Sequence, residues 1–277
     1  MSEPDDSAFA SFEQKWLAAN PEQATVALFL APDARLRASA FGCLIHEIEQ
    51  AAFGLREAHV AEVKLQWWRQ ELSAAASGSP RHPVSAVLFS DPRAAGVGAA
   101  DWNALIDGAL AMLHLGTASD LDALLTDYSA FFMPVAHIEA KLSDAPSGQV
   151  AAAAKLATIS HLLLALRHLR DAQERFPVPL ALLARHGLAR GDLTGNDAKR
   201  GELLRDFLGP LSAALQAALA DARRAPLGRR VRARLDLALM RKAQRTDDPL
   251  RALMAQPGDA RWKSVWWSWR EARRGFQ

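Results

Sequence analysis

Apolar residues recur at spacings of three and four along seven stretches of the chain: 38–55, 60–76, 102–115, 121–142, 150–169, 203–220 and 231–240. That period stacks them on one face of an α-helix, so each stretch predicts a buried or half-buried helix. No stretch shows the apolar/polar alternation of a half-buried strand. The breaks fall where turn chemistry is dense. Ser77-Gly78-Ser79-Pro80 ends one helix, Ser90-Asp91-Pro92 and Gly96-Val97-Gly98 form a loop, Ala145-Pro146-Ser147-Gly148 forms another, and Phe176-Pro177-Val178-Pro179 interrupts the longest helical run.

Composition sharpens this into a fold class. The chain has 277 residues, half of them hydrophobic and 23% charged, which suits a globular protein with one sizeable core and excludes disordered and fibrous classes. Ala and Leu dominate, and there is one tyrosine, Tyr128. No compositional shift or repeat divides the chain. The expectation is a single all-α helical domain over residues 12–277, preceded by a disordered, acidic tail over residues 1–11. That tail lacks the basic flank and apolar stretch of a secretory signal. The densest apolar runs, 26–31 and 162–166, are too short to span a bilayer.

Charge and cysteine usage narrow the function classes. A formal net charge of +2 gives no global field for nucleic acid, so no nucleic-acid partner is expected. The one cysteine, Cys43, excludes an internal disulfide or a multi-cysteine metal site and fits a cytoplasmic location; on an apolar helical stretch it reads as a small buried hydrophobe. No glycine-rich phosphate loop and no nucleophile elbow is present. His46 with Glu49, and His161 with His168, lack the further ligands that a metal ion requires. Near the C-terminus Trp262, Trp266 and Trp269 share a helical face with basic residues alongside. The preferred reading docks that face on the bundle, and the alternative is peripheral contact with a membrane interface. The arginines of 223–245 read as a solvated face, with peripheral contact with anionic lipid as the alternative.

Two stretches carry a resemblance. Residues 63–72, Val-Lys-Leu-Gln-Trp-Trp-Arg-Gln-Glu-Leu, precede Gly78-Ser79-Pro80-Arg81-His82-Pro83-Val84. Farther on come His168-Leu169-Arg170-Asp171-Ala172-Gln173-Glu174-Arg175 and the segment from Val178-Pro179-Leu180 to His186-Gly187-Leu188. In order and spacing these resemble the squalene/phytoene synthase family. The doubled Trp67-Trp68 is more like the degenerate branch that includes complex I assembly factor relatives. The resemblance implies an isoprenoid-synthase-like bundle with a central cavity. In active members, two acidic motifs hold Mg²⁺ against the diphosphates of two prenyl substrates, which are joined head to head through a cyclopropyl intermediate.

Carried over by motif position, the resemblance implies Glu47, Asp171 and Glu174 as Mg²⁺ ligands, with Arg170 and Arg175 as diphosphate contacts. The motifs also depart from the family pattern. The first window reads His46-Glu47-Ile48-Glu49-Gln50, leaving Glu47 as the retained acid, and Arg175 stands where the second motif should end on aspartate. A guanidinium repels Mg²⁺. Arg170 and Arg175 could instead bind an anionic group directly, or Arg175 could pair with Asp171 across one turn. The departures favour a non-catalytic isoprenoid- or lipid-binding or assembly protein, cytoplasmic and in reach of the inner membrane. Its ligand would be a prenyl diphosphate or other lipid, with a protein as a second class of partner. The alternative is an active Mg²⁺-dependent prenyltransferase.

Overall fold

The periodic stretches become helices in the computed structural model, which describes residues 3–167, 178–194, 198–254 and 260–274. In chain order these are α1 (Glu3–Ala19), α2 (Glu22–Val26), α3 (Pro32–Glu49), α4 (Ala58–Ala76), α5 (Pro83–Phe89), α6 (Pro92–Ala95), α7 (Ala99–Leu113), α8 (Leu121–Ser143), α9 (Val150–Arg167), α10 (Leu180–His186), α11 (Ala198–Asp221), α12 (Leu227–Gln244), α13 (Pro249–Met254) and α14 (Ala260–Arg274). No strand occurs among the described residues. The fold is all-α, as the residue pattern predicts.

Local chemistry sets the helix ends. Pro32 stands at the start of α3, where its missing N–H is not needed. Asp120 accepts the Ala123 N–H at 2.9 Å to cap α8, and α10 stops at Gly187, whose φ of 60° is left-handed. Beyond Glu49, α3 widens into a π-turn, Gln50–Gly54, a device often found at functional sites. One hydrophobic core runs through α1 and α3–α13. Helix α8 packs between α7 and α9, α9 packs against α11 and α12, and α3 lies against α1, α5 and α8. Residues Ser147–Arg167 are long and apolar enough to cross a membrane, yet more than half of their most apolar stretch is buried within the bundle.

Three local expectations change. The segment expected as a tail over residues 1–11 is helical from Glu3. Phe9, Phe12 and Trp16, spaced three and four apart, form a stripe against the core, with the Trp16 indole filling the space that Gly42 leaves open on α3. The arginines of 223–245 form a solvated face only in part: Arg223, Arg224, Arg241 and Arg245 are exposed, whereas those of the first half of α12 are not. Arg230 is buried, and Arg229 and Arg232 are half-buried in ion pairs, because carboxylates on neighbouring elements meet them. The tryptophan face of α14 points outward rather than onto the bundle: a buried ion cluster, not apolar packing, selects the inward side of that helix.

Candidate functional site

The acidic window at the end of α3 divides between two directions. Glu47 turns toward α1 and α4, where Lys15 meets it at 2.6 Å and Lys64 at 3.2 Å. Burial pushes the Glu47 carboxyl up, but the Lys15 hydrogen bond and the Lys64 charge outweigh it and hold it below the ordinary range. His46 feels the same two lysines. Burial, with Lys15 and Lys64, lowers its basicity and keeps the imidazole neutral near pH 7. Glu49 turns instead toward α12. Burial pushes its carboxyl up to about 7, with the charges of Arg229 and Arg232 opposing. The Gln50 amide lies against Gly54 across the π-turn.

That π-turn carries Phe53 into an aromatic cluster. Its ring centroid lies 4.2 Å from His161 on α9, 5.8 Å from Tyr128 and 6.5 Å from Phe132, both on α8. Phe53 and His161 are half-buried amid these rings, against the buried Tyr128 and Phe132. Desolvation lowers the His161 pKa to about 4, and the ring there is a neutral, flat wall.

Charged groups gather on the α12 side. Arg229 donates to Glu139 on α8 at 2.8 Å. Arg232 contacts Asp236 at 3.0 Å and reaches Glu22 on α2 at 3.4 Å. At the end of α9 the Arg167 Nε is buried without a hydrogen-bond partner. Burial and the charge of Arg232 weaken its hold on its proton, a sign of a cation in a dry, crowded place. The arrangement offers an aromatic wall for an apolar chain and guanidinium groups for an anionic end.

A hard-cation site asks for several carboxylates. The first window offers Glu47 held by two ammonium groups, Glu49 facing two guanidinium groups, a neutral imidazole and an amide. By itself it does not fit a two-magnesium site. Among the described residues, no three His, Cys, Asp or Glu side chains are close enough to hold a metal ion. Arg170, Asp171, Glu174 and Arg175, with His168, lie outside the described residues. Glu47 is thus the one motif-derived site residue whose place is visible, and its partners are lysines.

The other motif residues visible here build structure. Glu71 on α4 is fully buried and accepts the backbone N–H groups of Arg81 and His82, each at 2.9 Å. The His82 Nδ1 accepts the Val84 N–H at 3.2 Å, and its ring packs 4.8 Å from Trp68 and 4.7 Å from Phe12. Trp68 is buried, while Trp67 is 39% exposed. Leu180 and Ala181 tie α10 to the start of α8 by backbone hydrogen bonds to Ala118 and Ser119. Cys43 is buried, and burial raises its thiol to about 12, out of reach of nucleophilic use.

Sequence reasoning missed Arg229, Arg232 and Glu139. A signal existed for the arginines: Arg229, Arg232 and Asp236 recur at three and four residues and so share one face of α12.

A family model described as squalene/phytoene synthase matches residues 19–271. The crystal structure of squalene synthase HpnC from Alicyclobacillus acidocaldarius is similar, with a TM-score of 0.69 at 15% identity, covering 89% of this chain and 97% of that one. A dehydrosqualene synthase crystallised in complex with a ligand gives a TM-score of 0.74 at 12% identity, covering 98% of this chain and 97% of that one. No curated protein sequence matches.

Proposed function

The chain belongs to the squalene/phytoene synthase family, and on that premise we propose that it is a non-catalytic member, binding an isoprenoid or other lipid within its bundle as a carrier or assembly protein. The observation that supports this most is the pairing of Glu47 with Lys15 and Lys64. The one acid retained at its first-motif position already has two cationic partners, so a magnesium ion would have to displace both. The aromatic wall of Phe53, Tyr128, Phe132 and His161 suits an apolar chain, and Arg167, whose Nε has no hydrogen-bond partner, suits an anionic headgroup without metal. Such ligands partition into bilayers, so the working location is the cytoplasm, at the periphery of the inner membrane.

A second reading is an active prenyltransferase that condenses two prenyl diphosphates head to head. Its support is that the structurally similar proteins are named as squalene and dehydrosqualene synthases and this chain spans 97% of each. Glu47, Asp171 and Glu174 would then hold Mg²⁺, which offsets leaving-group charge when bound, and Arg170 and Arg175 would contact the diphosphate.

A thermal-shift titration with farnesyl diphosphate, with and without Mg²⁺, separates the two, because a ligand that binds only the folded state raises its stability by mass action. A shift independent of Mg²⁺ is expected. A shift that requires Mg²⁺, with turnover abolished by Glu47→Ala or Asp171→Ala, would replace this reading with the second. No shift in either condition would remove isoprenoid binding and leave protein assembly.

A further inference from the structure

Helix α14 is mounted with its polar side inward. Ser264, Ser268 and Glu271 are buried. Glu271 accepts hydrogen bonds from Arg230 at 2.9 Å, Arg234 at 3.0 Å and Arg274 at 3.2 Å. Arg230 also donates to the backbone carbonyls of Glu271 and Ala225, tying α14 to α12 and to the turn before it. A buried carboxylate with three guanidinium partners cannot be turned to face water without leaving buried arginine unpaired, so this cluster fixes the rotation of the helix.

The opposite side holds large apolar groups. Trp262 is 82% exposed, Val265 41%, Trp266 46% and Trp269 45%. They recur at i, i+3, i+4 and i+7, the spacing that a soluble bundle normally turns inward. The guanidinium of Arg270 lies 4.9 Å over the Trp266 ring, and that of Arg273 lies 4.5 Å over the Trp269 ring. Lys263 is exposed beside them. The one acidic residue of α14 is the buried Glu271, so the outward face carries only positive charge. The adjoining turn Ala27–Phe29 packs against α14 and presents Leu28, 71% exposed.

We propose that this face docks on an anionic phospholipid bilayer, with α14 lying flat in the headgroup layer, its indoles at the acyl boundary and its guanidinium groups on lipid phosphates. Tryptophan flanked by Arg and Lys is the side-chain set favoured at that depth, where one end of each ring is apolar and the other wet. Arginine stacked on an indole still presents its donors to phosphate oxygens. A protein partner would need a groove shaped to three projecting indoles, whereas a headgroup layer adapts to a convex helix. The proposal concerns where the protein sits and is independent of what its interior binds.

The test is flotation of the full-length protein with vesicles of phosphatidylcholine alone and of phosphatidylcholine mixed with phosphatidylglycerol. Binding to the anionic vesicles, weakened by salt and accompanied by a blue shift of tryptophan emission, is expected. A variant combining Trp262→Ser, Trp266→Ser and Trp269→Ser should bind about tenfold or more weakly. Arg270→Gln with Arg273→Gln should remove the preference for anionic lipid. These side chains are exposed or half-exposed, so far-UV circular dichroism should match the parent in both variants. Failure of the parent to bind either vesicle overturns the proposal, as does undiminished binding by the triple-serine variant. Self-association abolished by that variant, without vesicle binding, would assign the face to a second copy of the chain and overturn it equally. None of these outcomes depends on the farnesyl diphosphate titration.

Discussion

The carboxylate of Glu47 lies 2.6 Å from the ammonium of Lys15, an ion pair that joins α3 to α1 across 32 residues of sequence. Lys64 adds a second contact from α4 at 3.2 Å. The carboxylate is buried and the lysines are not, so the pair acts as a clasp closing the outer side of α3.

Glu47→Gln should therefore weaken the fold by about 1–3 kcal/mol, the range for removing one charge from a buried, hydrogen-bonded cluster. Its pKa is depressed in the folded state, so its contribution is present above the unfolded value of 4.5 and lost as pH falls through the lower folded value. Urea midpoints of parent and variant should differ at neutral pH and converge in acid. Farnesyl diphosphate binding should not change, since the side chain points at lysines rather than at the aromatic wall.

A second carboxylate with a structural task is Glu71. Burial pushes its carboxyl up, and the two backbone N–H groups of His82 and Arg81 more than offset that, holding it below the ordinary range. Glu71→Ala would orphan both N–H groups and should destabilise by about 3 kcal/mol or more. Denaturant unfolding monitored by circular dichroism checks this, and a loss under about 1 kcal/mol would mean that water replaces the carboxylate.

These two residues show what the sequence could and could not reveal. The run from Lys64 to Val84 is legible as a family pattern, and its residues turn out to hold a turn in place: Glu71 caps two amides and His82 starts α5. The helices were legible because Leu and Ala recur at helical spacing, as in α8 and α11. Helix α1 was not, because three aromatic residues among many polar ones give a narrow stripe that composition reads as tail. For α14, periodicity defines the two faces but not which one turns inward; that depends on Arg230 and Arg234, some 40 residues earlier. The charged groups near Glu49 depend likewise on α12 bringing Arg229 to Glu139 of α8 and Arg232 to Glu22 of α2, which no local pattern encodes.

Glu49 makes the fold sensitive to alkali. Its folded pKa is raised to about 7 by burial, against an unfolded value of 4.5. The stabilising contribution of the protonated form is complete below the unfolded value and is lost as pH rises through about 7. Glu49→Gln should flatten the decline in unfolding free energy over that window by about 1–3 kcal/mol. Chemical denaturation at a series of pH values measures the slope, and an unchanged slope would mean that Arg229 and Arg232 hold the carboxyl ionised.

His161 acts in the opposite direction. Its folded pKa is depressed to about 4 from 6.5, so its contribution is present above 6.5 and lost as pH falls through about 4. A ring held between Phe53 and Tyr128 has no anion beside it to welcome a proton. His161→Phe should reduce the acid sensitivity of the protein while keeping the aromatic wall, giving a shallower loss of thermal midpoint in acid than the parent shows. Because Glu49 and His161 oppose each other between pH 4.5 and 6.5, each effect is read as the difference between variant and parent at the same pH.

A close approach between α7 and α8 rests on a proline and a glycine. Pro134 sits inside α8 and has no N–H, so the carbonyl of Ala130, one turn earlier, lacks its helical donor. That carbonyl faces Gly108 on α7, and a Cβ at Gly108 would collide with it and with the backbone of Phe131. Glycine there lets the two backbones touch and brings a weakly polar Cα–H to the bare oxygen. Helix propensity alone would favour Gly108→Ala by about 1 kcal/mol. The colliding atoms belong to backbone rather than to a flexible side chain, so the clash should win, with a net destabilisation of about 1–3 kcal/mol. Gly148→Ala, at a position with open space around it, serves as the control and should stay within about 0.5 kcal/mol of the parent. A stabilised Gly108→Ala would show that α7 and α8 can move apart at no cost, and would remove the reason for Pro134 and Gly108 to face each other.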